Sequence, residues 1–353
     1  MAIQINGNTV IDDNRRGDFS LTNFSSYTED QLDNLVVRGG AVGDIVYNSS
    51  IGDLNFWDGE KWVPQAKAEP GEAVYVNPGT YTWTCPRGVK SVCVVCVGAG
   101  GAGGYAWFHL GGFGGGLGWK NNIPVQAGQA YTVVVGRGGI ARSNQGAGGD
   151  SYFISTNTVM GGGGKGGESR YVQGCALGTS NSCYSRVFLP GGRYVGDGGG
   201  VGGGFNYYWC FSHGGGGAGG YNGPGGSFNN NNPGDYGSGG GGGAGQDGGN
   251  SSAGEPQGNG GGGVGIYGKG ANGVGGGQPG NGMGSGAGGG GSYAYGTGKN
   301  GESNRGIPDS GFPGGGAGHD HSGRAPGRGG GGAVRILWGE DRAFPSTNVG
   351  RTF

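Results

Sequence analysis

The chain has 353 residues, of which 102 are glycine and only 13% are charged, and its formal net charge is -1. This composition excludes collagen, because glycine does not recur at every third position, and it disfavours nucleic-acid binding and a helical enzyme. The low net charge and the 10% aromatic content also disfavour disorder of the whole chain. The chain has no apolar run of about 18 residues, so no transmembrane helix is expected.

Residues 1–65 predict a small mixed module of ordinary composition. Alternating apolar residues around Asn6-Gly7 indicate a first hairpin. Thr28-Glu29-Asp30-Gln31 fits a capping box and predicts a short helix over 29–36. Asp58-Gly59 predicts a second hairpin, in which Trp57 and Trp62 stack across the strands. A polar linker is expected over 66–79.

Residues 80–160 predict a β domain. Its strongest strand is 91–97, which is apolar on both faces and is therefore expected to be buried on both sides. Further strands are predicted at 123–125 and 131–135. Residues 333–338 have the same character, so we expect the domain to be completed by 333–353 after a long insertion.

The insertion, 161–332, consists of glycine runs separated by short spacers. The runs lie at 161–164, 198–204, 214–220, 237–245, 260–265, 273–277, 286–291, 314–318 and 327–332. They are either flexible linkers or a bundle of polyglycine II helices, in which each backbone bonds to its neighbours in three directions. We favour the bundle, and the predicted fold is mostly β with this bundle inserted and very little α.

No catalytic, metal or cofactor site stands out. Cys93 and Cys96 form a C-x-x-C pair, but strand geometry places them on opposite faces, and buried apolar cysteines are the favoured interpretation. The sequence leaves open whether Cys175, Cys183 and Cys210 form a disulfide. His319-Asp320-His321 is interpreted as a polar loop rather than a metal site.

Aromatic residues and arginines concentrate in the spacer 167–213. Such side chains either recognise a partner or merely cover the glycine bundle. The first interpretation makes them the receptor-binding set, with Tyr105–Phe108 as a second patch. A net charge of +2 over 165–197 suits an acidic or polar glycan. The receptor-binding set is Arg170, Tyr171, Tyr184, Arg186, Phe188, Tyr194, Tyr207, Tyr208 and Trp209.

Three stretches together resemble the tail fibres and tail-tip adhesins of marine phages, cyanophages especially. The opening Met1–Asp12 resembles the start of such proteins, and Gly43–Val63 resembles a small β module found in them. Gly79–Gly98 with Gly332–Gly339 resembles their glycine-rich domain. The irregular spacer at 167–213 departs from that pattern.

The resemblance implies a virion structural protein of the tail, assembled in the host cytoplasm, that binds but does not catalyse. Residues 1–65 would join other tail or fibre proteins, and tip loops would bind a host surface glycan or outer-membrane protein. A homotrimer is compatible with it, whereas nucleic acid and membrane insertion are not expected. The alternatives are a purely structural tail or capsid-decorating protein and an ice- or surface-binding polyglycine protein.

Overall fold

The computed structural model of the protein divides the chain into two compact units, Met1–Ala68 and Glu69–Phe353. It describes residues 3–5, 8–11, 26–28, 30–31, 44–50, 53–64, 69–104, 111–140, 146–167, 187–207, 215–229, 236–237, 250–251, 261–269, 313–317, 327–339 and 341–346.

The first unit contains two small sheets. A hairpin pairs β1 (Ile3–Ile5) with β2 (Asn8–Ile11), as the sequence predicts. The second sheet consists of β3 (Ser26–Tyr27), β4 (Ile45–Asn48), β5 (Asp53–Trp57) and β6 (Trp62–Pro64), in the spatial order β3-β4-β5-β6.

The turn between β5 and β6 forms as predicted. Gly59 has a φ of 107°, which glycine adopts readily. Asp58 Oδ1 accepts the backbone N–H groups of Lys61 and Glu60, both at 2.8 Å, and these bonds hold the pKa of the Asp58 carboxyl below its ordinary value. The rings of Trp57 and Trp62 lie 5.5 Å apart across the strands, which confirms the predicted aromatic pair.

The helix predicted over 29–36 lies mostly outside the described residues. Asp30 and Gln31 are described and are helical. The N–H of Thr28 donates to Oε1 of Gln31 at 2.8 Å. This is the contact by which the fourth residue of a capping box holds the N–H of the first.

The second unit is built on two five-stranded sheets. One contains β7 (Gly71–Tyr75), β9 (Ser91–Val97), β10 (Leu117–Pro124), β16 (Gly198–Gly200) and β21 (Ala333–Trp338), in the order β16-β10-β9-β21-β7. The other contains β8 (Gly79–Thr84), β11 (Ala130–Val135), β12 (Ser151–Phe153), β13 (Val159–Gly161) and β15 (Tyr194–Val195), in the order β15-β13-β12-β11-β8.

The two sheets pack face to face as a sandwich. The ring of Trp83 lies 5.8 Å from that of Phe153 in its own sheet and 5.7 Å from that of Trp338 in the other. Five short strands lie elsewhere in this unit, at β14 (Val187–Leu189), β17 (Phe205–Tyr207), β18 (Phe228–Asn229), β19 (Tyr236–Gly237) and β20 (Asn250–Ser251).

Strand β9 is buried on both faces, as its continuous apolar sequence predicts. Cys93, Val95 and Val97 belong to an apolar cluster on the outer side of their sheet. Cys96 points the other way, beside the backbone of Phe153 in the opposite sheet. A strand covered on both sides requires a second layer outside the sandwich, and the glycine-rich part of the chain supplies it.

The last strand pairs with the 80–160 block, as predicted. β21 runs antiparallel between β9 and β7, with Val334 opposite both Cys96 and Tyr75. The linker expected over 66–79 is wrong in part, because residues 71–75 of that range are β7. This stretch has a polar sequence and was therefore interpreted as a linker. β7 is an edge strand in which every residue is only half-buried, so it does not need an apolar sequence.

Beyond the sandwich, the glycine segments form polyglycine II helices. In 98–104, the N–H groups of Gly98, Ala99 and Gly100 donate to Gly116, Gly149 and Gly330, at 2.8, 3.0 and 2.8 Å. The next three residues repeat the pattern on the same three neighbours, where Phe113, Gly146 and Gly327 accept at 2.9, 2.8 and 3.2 Å. A period of three with all bonds made to other segments is the geometry of this helix.

Two segments are each surrounded by six others. Segment 98–104 donates to three neighbours and accepts from three more, through Gly139, Gly164 and Ala317. Segment 111–116 likewise donates to Ala317, Lys165 and Gly203 and accepts from 98–104, 191–193 and 215–220. The result is a hexagonal lattice made of 98–104, 111–116, 136–140, 146–150, 161–167, 191–193, 201–204, 215–220, 223–226, 261–266, 313–317 and 327–332.

Glycine is required because the backbones touch. A β-carbon at Gly100, Gly112 or Gly316 would overlap a carbonyl group of the adjacent segment. The sequence interpretation placed the lattice at 161–332, and this boundary is wrong, since both central segments lie within 80–160. Ala99, Ala102 and Phe113 interrupt their glycines and hid the pattern. The runs at 237–245, 273–277 and 286–291 lie outside the described residues.

The predicted fold class, mostly β with very little α, is confirmed. Strands and polyglycine segments account for nearly all the regular structure in the described ranges. Within those ranges, no helix is long and apolar enough to cross a membrane.

Candidate functional site

The lattice has two ends, and the sandwich occupies one of them. Segment 98–104 follows β9 directly, and 111–116 leads directly into β10. The chain therefore moves away from the sandwich along the first segment and returns along the second. The antiparallel bonds from Gly98 to Gly116 and from Gly101 to Phe113 show the same relation. We call the opposite end of the lattice the tip end.

The other lattice segments that adjoin a strand also run either away from the sandwich or back to it. Segments 136–140 and 161–167 leave from β11 and β13, and 327–332 returns to β21. Bond partners give the same direction for the segments that adjoin no strand. The described lattice segments therefore have six pairs of ends at the tip end, at residues 104 and 111, 140 and 146, 167 and 191, 204 and 215, 226 and 261, and 317 and 327.

Two residues of the predicted receptor-binding set lie on paired strands near the tip end, at adjacent rather than opposite positions of the ladder. Phe188 lies in β14 and Tyr207 in β17, and these strands pair antiparallel, with Val187 opposite Tyr207. β18 extends the sheet on the other side of β17 in a parallel register. The three strands continue lattice segments towards the tip end.

Tyr194 lies apart from that pair. It belongs to β15, paired with Gly161 at the sandwich end of the lattice, and its side chain is 38% exposed. Six residues separate it from Phe188, or roughly 19 Å at about 3.1 Å per residue of this helix. Sequence proximity suggested one patch, but the chain crosses the length of the lattice between the two residues.

The other members of the set lie outside the described residues. They are Arg170, Tyr171, Tyr184, Arg186, Tyr208 and Trp209. The same is true of the second aromatic patch, of the His-x-His motif and of three cysteines, at Tyr105–Phe108, His319–His321, Cys175, Cys183 and Cys210.

Two other tyrosines at the sandwich end, Tyr221 and Tyr267, are buried against the lattice. Tyr221 and Tyr267 are 4% and 3% exposed. The Tyr221 ring stacks on Phe344 with centres 6.0 Å apart, and its hydroxyl accepts the N–H of Gly268 at 3.2 Å. Trp119 Nε1 donates to the Tyr221 carbonyl at 3.1 Å. These residues lie outside the 167–213 spacer, for whose aromatic residues both interpretations stay open.

A buried ion pair fixes the same end. Arg335 of β21 is fully buried and donates through Nε and Nη2 to Oε2 of Glu72, at 2.9 and 2.6 Å. Its guanidinium lies 4.0 Å from the centre of the Tyr267 ring, and Nη1 donates to the carbonyl of Ile266 at 3.3 Å. Burial lowers the pKa of Arg335, which the bonds to Glu72 oppose. The pair ties β7, β21 and the lattice together.

The C-x-x-C pair lies within the buried strand β9. Cys93 and Cys96 are buried free thiols on opposite faces of β9, as predicted. The Cys93 thiol donates to the carbonyl of Arg342 at 3.1 Å. Burial raises the pKa of both thiols, which keeps them protonated and unreactive. No group of three potential metal ligands occurs within the described ranges.

Sequence reasoning counted Lys165 and Arg193 in the positive balance of 165–197, but it missed Arg137 and the grouping of the three cations on the side of the lattice. Arg137, Lys165 and Arg193 are exposed on segments that lie near one another. Arg137 was overlooked because its segment had been assigned to the β domain. Alternation of glycine with a single charged residue, as in Gly136-Arg137-Gly138-Gly139, was the available signal.

Comparison with known families fits this architecture. Residues 76–278, more than half of the chain, match the family described as "Glycine-rich domain". The chain belongs to this glycine-rich domain family. The matched range contains the two central lattice segments and most of the sandwich, while β21 lies beyond it. A search of curated proteins found no match.

Proposed function

We propose that this glycine-rich protein is a phage tail-fibre or tail-tip adhesin, located in the virion tail and binding the host cell surface. The observation that carries the proposal is that six pairs of described segment ends lie together at one end of a hydrogen-bonded lattice, opposite the sandwich. Loops presented together by a rigid scaffold are the usual arrangement of a recognition surface, because the scaffold limits the entropy lost on binding.

The lattice suits this task because its strength comes from the backbone. Each central segment exchanges bonds with six neighbours, so the scaffold needs few apolar side chains. Loops at the tip end are then free to vary in sequence without weakening it. Under this proposal the aromatic residues around Phe188 and Tyr207 contact a host glycan or outer-membrane protein, and no catalytic step is involved.

The first unit would then be the attachment module. It has its own sheets and is compact by itself, which suits a part that joins other tail or fibre proteins. We also propose that the protein acts as a homo-oligomer, for which a trimer is the expected form.

Locating the chain in purified particles by cryo-electron microscopy tests the proposal. We expect its density at the tail extremity, with the tip end pointing outward. Density on the capsid would favour the decorating alternative, and absence from the particle would refute a virion role.

A variant separates an adhesin from a purely structural tail protein. Replacing Tyr207, Tyr208 and Trp209 with alanine should reduce adsorption to host cells by at least about tenfold, since buried aromatic anchors dominate binding energy. Incorporation into virions should not change. The control variant replaces Tyr75 and Tyr81, two half-buried tyrosines at the edge of the sandwich, with alanine. Phage that carry it should adsorb to host cells as well as the wild type does. Unchanged adsorption of the first variant would reject the recognition role of this segment.

A further inference from the structure

We propose that the exposed side of the lattice binds a linear acidic polysaccharide, through Arg137, Lys165 and Arg193 with Tyr194 beside them. We call this surface the basic face. It is distinct from the tip end, and it does not require the chain to belong to a phage.

The basic face is formed by four adjacent segments. Gly162 donates to the carbonyl of Arg193, Gly148 to that of Gly164, and Gly149 to that of Arg137. These bonds place the segments in the order 191–193, 161–167, 146–150 and 136–140. The opposite side of the lattice, at 215–220, 261–266 and 313–317, is buried throughout.

Three cations of this face have no partner among the described residues. Arg137, Lys165 and Arg193 are exposed, and no side-chain hydrogen bond or ion pair engages them in the described ranges. Asp150 is the acidic residue of these four segments, and its Oδ1 already accepts the N–H of Gly163 at 2.8 Å. The face is therefore locally basic in a chain whose net charge is -1.

The spacing suits an extended polymer. Gly162 is level with Arg193, so Lys165 lies three residues further towards the tip end, about 9 Å along the lattice. Between the cations the surface is glycine, and Gly138, Gly148 and Gly163 are only half-buried. The N–H groups of Gly148 and Gly163 already donate to Gly164 and to Asp150, so this surface offers close approach to a side-chain-free backbone rather than free donors.

The other polyanions fit less well. Three cations are fewer than the six to ten phosphate contacts, roughly, that give duplex DNA its affinity. An anionic membrane would need apolar side chains to insert, and Tyr194 is the large exposed hydrophobic residue described at this face. Tyr194 follows Arg193 and packs on Gly199, leaving part of its ring for a sugar.

Binding of the full-length protein to immobilised dextran sulfate tests the proposal, with unmodified dextran as the neutral probe. Replacing Arg137, Lys165 and Arg193 with glutamine should weaken binding about tenfold at low salt, since each exposed ionic contact contributes a fraction of a kcal/mol to about 1 kcal/mol. The control replaces Lys61, Arg87 and Lys90, also with glutamine; they are exposed and belong to no lattice segment, and their replacement removes the same charge. It should lose less than about threefold.

Four results would overturn the proposal. These are equal loss in the two triple variants, no loss in the first, binding to duplex DNA as tight as to dextran sulfate, and binding to phosphatidylserine vesicles as tight as to dextran sulfate. Tyr194→Ala should also weaken binding, while the Tyr207, Tyr208 and Trp209 variant should not. Thermal unfolding of each variant confirms that the lattice is intact. Failure here leaves the tip proposal standing, because adsorption through the tip is measured with other residues.

Discussion

Gly316 and Ala317 are neighbours in the same lattice segment and have opposite steric surroundings. A β-carbon on Gly316 would overlap the carbonyl group of Gly112, whereas Ala317 carries its β-carbon while donating to Gly101 at 3.0 Å. Gly316→Ala should therefore lower the free energy of unfolding by about 3 kcal/mol through overpacking. Ala317→Gly is the matched control and should cost about 1 kcal/mol or less. Chemical denaturation measures both, and equal effects would contradict the lattice geometry.

The buried thiols make a second prediction at this scale. Because burial raises the pKa of Cys93 and Cys96, the folded state favours the neutral thiol. This contribution to stability is present below the ordinary thiol pKa of 9.0 and falls as the pH rises above it. At pH 8, iodoacetamide should leave both residues unmodified in the native protein and modify them in denaturant, as read by peptide mass spectrometry. Rapid native modification would show that β9 is not covered.

The ion pair of Arg335 couples an edge strand to a central one. Glu72→Ala should lower the free energy of unfolding by about 3 kcal/mol, because it leaves a buried guanidinium without its counter-charge. The double variant Glu72→Ala, Arg335→Met should recover most of the loss, since an apolar chain of similar length suits the site. A double variant no more stable than the single one would show that packing of Arg335, not its charge, is what matters.

At the scale of elements, β21 closes the second unit. It lies between β9 and β7, so truncation before Ala333 removes an inner strand of the sheet. The truncation also removes the link between lattice segment 327–332 and that sheet. The truncated protein should aggregate or lose cooperative unfolding, because unpaired strand edges are left on both sides. Truncation after Ser346 keeps the strand and the docked Phe344, and it should unfold like the full chain. Identical thermal scans for the two truncations would contradict this role.

The sequence predicted strands better than it predicted lattice segments. The mostly apolar runs of β9 and β21 reflect burial on both faces, which each strand carries in its own residues. A lattice segment has no such local pattern, because its neighbours are set by bonds to remote segments. Thus residues 98–104 were assigned to the β domain 80–160, although they form the centre of one hexagon. The separation of Tyr194 from Phe188 was missed for the same reason.

At the scale of the whole molecule, the chain uses backbone bonding where most proteins use side-chain packing. Ordering glycine costs more conformational entropy than ordering any other residue. The dense bonds around 98–104 and 111–116 offset that cost, and the apolar cluster under β9 anchors the lattice to the sandwich. Segments near the centre of a hexagon should therefore open only with global unfolding.

This arrangement predicts that the second unit folds alone. Residues 69–353 contain both sandwich sheets and every described lattice segment, and they form one compact unit. Expressed without residues 1–68, this part should stay soluble, and the amides of Gly100, Gly101 and Gly114 should exchange as slowly as in the full chain. It should also fail to enter virions, because the proposed attachment module is gone. Fast exchange at these amides would show that the lattice depends on the first unit, and truncated protein found in purified particles would place the attachment surface elsewhere.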